Sequence, residues 1–176
     1  MLHQKTILLC LFGAVAFGIV HDLVTATSCI EYFTIGHPKV IESENPFILA
    51  LVWGVLATWW VGLILGILIV AFNAIGKHNK VPFSTIRRDV IRLLLIMVFT
   101  SLLAGIIGYI LANAGVIYLI GELTDRIPAG KHNAFLAVAW AHVSSYFVGF
   151  IGGIVICMKV WMQRTHPARK VKSNKL

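Results

Sequence analysis

Residues 46–73 read PFILALVWGVLATWWVGLILGILIVAFN, a run without a single Asp, Glu, Lys or Arg. A helix rises ~1.5 Å per residue, so about 20 apolar residues cross the ~30 Å hydrocarbon core of a bilayer. This run exceeds that length. Asn45 stands before it as an N-cap, and Pro46 occupies the first helical position, where its missing N–H costs nothing. Three comparable runs lie on either side, at about 6–27, 90–119 and 133–161. No proline interrupts any of the four. Only 12% of the 176 residues are charged, against about 25% in soluble domains, and 59% are apolar. Mean hydropathy is +0.87. The expected fold is all-α: a polytopic membrane protein, one four-transmembrane-helix bundle over residues 1–164. Residues 165–176 read as a basic, disordered cytoplasmic tail.

The net charge of +8 does not predict a nucleic-acid partner, because the cations cluster beside the apolar runs. Lys5, the segment from Lys77 to Arg92 and the segment from Lys159 onward hold twelve of the fifteen Lys and Arg residues. Lys39, Arg126 and Lys131 are the other three, and they fall on the opposite side of the bundle. Basic residues stay on the cytoplasmic side of short loops, so both termini are expected there. Arg87, Arg88 and Arg92 read as an interfacial segment facing anionic lipid headgroups, with Ser84 or Thr85 capping its helix. Trp161 suits the membrane interface. Trp59 and Trp60 lie mid-span and read as packing residues. Lys5, an apolar run and the small residues before Cys29 have the outline of a signal peptide. Ala26 and the His21-Asp22 pair fit a cleavage site poorly, so an intact first span is expected.

Small residues recur at four-residue spacing in all four runs, including Gly18, then Gly54, Gly62 and Gly66, then Gly105, then Gly149 and Gly153. Such rows let helix backbones approach where lipid supplies no hydrophobic drive, within one chain or between copies. A homo-oligomer or a membrane-protein partner is therefore compatible with the sequence.

Polar residues at costly depths mark the candidate site. His21 and Asp22 fall in the outer third of the first run, Asn113 in the outer part of the third, and His142 about 13 Å below the outer surface of the fourth. Ionisable residues there cost several kcal/mol, roughly 2.5–3.5 for Asp, unless they face partners inside the bundle. Asp22 continues the small-residue row through Gly18, which turns its carboxylate inward. His21 and Thr25 share a face one turn apart, and His142 precedes Ser145 and Tyr146 by about one turn. Asp22 and His142 differ in estimated depth by about 7 Å, which helix tilt has to close.

The outer loops add Cys29, Glu31, His37 and His132. Imidazole, carboxylate and thiolate together suit Zn, Cu or Fe. Cys29 reads as a free thiol, a metal ligand or an intermolecular link, since three cysteines make no disulfide framework. Each residue also has a structural reading: a polar cap for His21-Asp22, an interhelical hydrogen bond for His142, a solvated loop for the others. No HExxH, paired CxxC, P-loop, GxSxG or dinucleotide fingerprint occurs. The sequence names no cofactor. Three function classes follow in order. An accessory or structural membrane component comes first and a metal- or haem-binding protein (His21, Asp22, His142) second. A small transporter or an enzyme acting at the outer face is third.

The stretches His21-Asp22, Cys29-Ile30-Glu31-Tyr32-Phe33-Thr34, His37-Pro38, Ala57-Thr58-Trp59-Trp60 and Trp140-Ala141-His142 carry a resemblance. The chain resembles a group of small bacterial four-helix membrane proteins sharing a His-Asp pair followed by Glu-Tyr-Phe-Thr and His-Pro. The likeness covers most of the chain. It implies a bacterial plasma membrane, and supplies no activity because none is established for the group.

Overall fold

The computed structural model describes residues 2–166. Four long helices dominate: α1 (Leu2–Ser28), α3 (Pro46–Ala74), α4 (Phe83–Asn113) and α6 (His132–Thr165). Each is long and apolar enough to cross a membrane. Two short helices, α2 (Glu31–Thr34) and α5 (Glu122–Arg126), and a 3₁₀ turn at Ala129–Lys131 lie in the connections at one end. No strand occurs among the described residues. The start of α3 is as expected, with Asn45 accepting the Phe47 N–H at 2.9 Å and Pro46 behind it.

The third span departs from the expected 90–119. The helix ends at Asn113, where Gly115 takes φ +70° and reverses the chain. That left-handed conformation favours glycine, because a side chain there meets the following carbonyl. The apolar residues Val116 to Ile120 extend the hydropathy signal, but they belong to the connection. Asn113 is consequently an exposed terminal residue rather than a buried polar one. At its other end α4 begins seven residues earlier than expected, at Phe83, with Pro82 rather than Ser84 or Thr85 in the cap position and no side-chain cap bond. The fourth span reaches Thr165, so that residue belongs to the bundle; the tail expected beyond His166 lies outside the described residues.

Packing organises the four helices as two tight pairs, α1 with α3 and α4 with α6, joined along looser seams. Glycine creates the first pair. A Cβ on Gly18 would lie 2.6 Å from the Gly54 carbonyl oxygen, and one on Gly54 would lie 2.5 Å from the Ile19 nitrogen. Gly62 and Gly66 meet the backbones of Cys10 and Ile7 in the same way. The second pair is mixed: Gly105 has 3.5 Å of room against Ala137 and Ala141, whereas a Cβ on Gly108 would crowd Trp140 at 2.9 Å and one on Gly152 would run into the Leu93 side chain. Gly149 faces Met97, while Gly153 faces Leu65 across the seam to α3. Trp59 and Trp60 are 45% and 50% exposed, which corrects the packing role expected for them. They point outward, on the apolar outer surface of the bundle.

The end carrying both termini is closed by a polar knot around an apolar cluster that includes Cys10, Ile69, Val81, Ile86 and Val160. Asn73, the penultimate residue of α3, bonds both backbone groups of Val81, donating to its carbonyl at 3.0 Å and accepting its N–H at 2.9 Å. Arg164, 4% exposed, donates from Nε to the Asn73 carbonyl at 2.9 Å and from a terminal nitrogen to the Gly76 carbonyl at 2.6 Å. It thereby supplies the carbonyl partners that the C-terminus of α3 lacks internally. Asp89, also buried, accepts from Lys159 at 2.7 Å. Arg164 and Lys159 are thus structural as well as positively charged, whereas Arg87, Arg88 and Arg92 are exposed.

Candidate functional site

At the other end the two helix pairs meet through a cluster of side chains. Asp22 comes from the buried stripe of α1 that also holds Gly18, Thr25 and Ala26, and His142 comes from the equivalent stripe of α6. Asp22 is 5% exposed and His142 2%. His142 Nε2 lies 4.0 Å from Asp22 Oδ1, so the expected depth difference is closed. The rings of His21 and His142 meet edge to face, with centroids 4.5 Å apart. One ligand atom from each of His21, Asp22 and His142 falls within 4.8 Å of the other two.

Hydrogen bonding around the three is uneven. Thr25 donates to the His21 carbonyl at 3.0 Å, and His142 Nε2 lies 3.2 Å from the Thr25 hydroxyl oxygen. The Tyr146 hydroxyl is 3.3 Å from His142 Nδ1. The tautomer that fits this arrangement carries the proton on Nε2, donates it to Thr25 and accepts from Tyr146. His142 is therefore satisfied. His21 Nε2, in contrast, is sealed from solvent and bonded to nothing among the described residues. The Asp22 carboxylate has no hydrogen bond among them either, and the His142 imidazole lies 4.0 Å from it.

Aromatic rings close the cluster at its end of the bundle. The chain leaves α1, turns at Cys29 and folds back as α2. Tyr32 then stacks on His142 with ring planes 24° apart, and Phe33 meets the same imidazole edge-on. His37 does not join the three ligand candidates. Its Nδ1 is bonded to the Tyr32 carbonyl at 2.8 Å and its ring packs against Phe33 and Trp53. These contacts tie it to α2 and α3.

The remaining expected site residues lie apart from the three grouped ligand candidates. Cys29 is 1% exposed, and its thiol donates to Glu31 Oε2 at 3.3 Å. Burial, reinforced by the Glu31 carboxylate, pushes the Cys29 thiol up to about 11. Cys29 is a free, buried thiol and is not among the grouped ligand atoms. Glu31 faces Lys131 at 3.9 Å. His132 Nε2 is bonded to the Ile127 carbonyl at 2.9 Å and closes the turn before α6. Tyr32, Phe33 and Trp53 had no polar signal in the sequence. The polar candidates Glu31 and His37 on either side of Tyr32 and Phe33, with the Glu-Tyr-Phe-Thr and His-Pro motifs, were the signals that this segment belongs to the site.

A haem between His21 and His142 does not fit. Their rings touch directly, and no layer between them can admit a porphyrin. Two imidazoles and one carboxylate suit a single ion better. Zn–N and Zn–O bonds of about 2.1 Å place tetrahedral ligand atoms about 3.4 Å apart. The widest separation here, 4.8 Å, would have to close by about 1.4 Å, within reach of side-chain rotation. Compared with family models, curated proteins and solved structures, the chain matches none.

Proposed function

We propose that this chain is a metal-binding membrane protein that holds one Zn²⁺ or Fe²⁺ through His21, Asp22 and His142. One observation carries the reading: a solvent-sealed His21 Nε2 without a partner stands beside a buried carboxylate without a hydrogen bond. Both are costly in hydrocarbon, and a cation between them satisfies both at once. Two histidines and a carboxylate with open positions are the donor set of mononuclear zinc and non-haem iron sites. On binding, His142 would give Nε2 to the ion and move its proton to Nδ1, donating to the Tyr146 oxygen where it now accepts. That hydrogen bond orients the ring as outer partners do in other metal sites.

The accessory or structural reading draws support from His142, whose two nitrogens are already bonded to Tyr146 and Thr25. There the cluster only knits the two helix pairs together. Transport draws less support, because the four spans are continuous helices without the broken pair common in transporters. The distribution of Lys and Arg supports both termini in the cytoplasm, with the cluster toward the outer face. Exposed Arg87, Arg88 and Arg92 would then meet anionic lipid headgroups. The resemblance to small bacterial proteins supports the plasma membrane of a bacterium.

Elemental analysis of protein purified in mild detergent, without chelators or a metal-affinity tag, separates the readings. One equivalent of Zn or Fe per chain, lost in His21→Ala and His142→Ala with helix content retained, is expected. A well-folded, metal-free protein that takes up neither ion on titration would leave the structural reading.

A further inference from the structure

The looser seam between α1 and α4 holds a groove of about 480 Å³, floored by α6. That volume lies in the usual range for small-molecule sites. The groove runs from Gly13 to Ser28 on α1 and from Leu94 to Ile106 on α4, the half of the bundle that contains the cluster. Its rim is open to the side: Val20 and Ile106 are 60% exposed and Leu102 is 51% exposed. His21 and Thr25 form part of its wall. Tyr32 and Phe33 thus cover the cluster at one end, and the groove reaches the His21 ring from the side, with His21 Nε2 sealed behind that wall.

The lining states what kind of molecule it accepts. Its polar residues are His21, Thr25, Ser28 and Ser101, and it contains no Lys, Arg, Asp or Glu. A phosphate or other anionic headgroup would find no counter-charge there. A hydroxyl or carbonyl oxygen finds the His21 ring and the Thr25, Ser28 and Ser101 side chains in the wall, and a methylene chain finds an apolar trough.

We propose that the groove binds an uncharged long-chain molecule with an oxygen head, an alcohol or carbonyl compound, which enters from the bilayer and places its head at His21. The proposal deepens the metal reading by naming what would share the site, since a neutral oxygen is a suitable further ligand for the ion. Binding in the groove itself requires only His21 and the apolar walls.

The test uses full-length protein in phosphatidylcholine vesicles, with a diazirine-bearing hexadecanol as probe and the labelled residues mapped by mass spectrometry. Labelling should concentrate on Val20, Val98, Leu102 and Ile106. Excess hexadecanol should compete it at least fivefold, and so should filling the groove with Leu102→Trp. Leu102 is half exposed on α4 and outside the cluster, so this variant should fold and keep any metal; Val98→Trp is a second filling variant. A diazirine-bearing phosphatidylglycerol should label the groove no more than the lipid-facing residues Phe99 and Phe150. Even labelling over all exposed faces, or groove labelling that neither competitor nor filling reduces, would overturn the proposal. Labelling confined to the groove in a metal-free protein would retain this proposal while the metal reading fails. Bound metal without groove labelling would do the reverse.

Discussion

Tyr32 lies over His142 with ring centroids 4.5 Å apart, so a residue from a four-residue helix roofs the most buried imidazole in the bundle. The contact is made by the ring. No hydrogen bond engages the Tyr32 hydroxyl among the described residues, and burial pushes that phenol above its ordinary range, keeping it protonated. Tyr32→Phe should therefore leave metal exchange near the wild-type rate. Tyr32→Ala should open the cluster to water and raise the rate of metal loss to a water-soluble chelator by about tenfold or more. Stopped-flow chelation in detergent compares the two. Equal effects of Phe and Ala would move the roofing role from the ring to the hydroxyl.

Gly54 and Gly105 make a paired prediction because both are helix glycines with different surroundings. A Cβ at 54 collides with the backbone of Ile19 at 2.6 Å or less, whereas at 105 it meets ordinary contacts at 3.5 Å. Gly54→Ala should destabilise by about 1–3 kcal/mol through overpacking. Gly105→Ala should be neutral or slightly stabilising, since Ala is favoured in helices by about 1 kcal/mol. Thermal unfolding in a single detergent reads both.

Asn73 answers two backbone groups of the buried Val81 at once. Asn73→Ala leaves both unpaired, and each orphan costs about 1–3 kcal/mol. The exposed Asn113 is the control, where the change to Ala should stay within about 0.5 kcal/mol. Hydrogen exchange at the Val81 amide should rise in Asn73→Ala alone.

Cys29 should resist alkylation at neutral pH despite lying in a connection. Its thiol is raised from the ordinary 9.0 to about 11, so the reactive thiolate forms only as the pH approaches that value. Maleimide labelling at pH 7.5 should be slow in the folded protein and complete after denaturation. Rapid labelling of the folded chain would show that α2 detaches readily.

The spans were legible because charge-free runs longer than 20 residues have few alternatives to a membrane helix. The misplaced end of α4 shows the limit of that signal. Val116 to Ile120 are as apolar as a span, and hydropathy does not register the left-handed turn at Gly115. His21, Asp22 and His142 were each legible as residues too polar for their depth. Their convergence was legible only as a contact that helix tilt would have to complete, because depth counted along separate helices does not say how they pack. The inward fold of α2 was hidden for a different reason. Tyr32 and Phe33 are unremarkable in a loop until His37, five residues after Tyr32, anchors the turn.

The division into two tight helix pairs gives the cluster a further meaning. His21 and Asp22 belong to the leaf built by α1 and α3, and His142 to the leaf built by α4 and α6. The first leaf is complete in the chain before the second has been synthesised, and the glycine contacts that seal it involve no later residue. The cluster comes into being only when the leaves close on each other, like a clasp on a book. Whatever sits there reports on the final step of assembly, and its affinity is drawn from holding together two halves that packing joins only loosely.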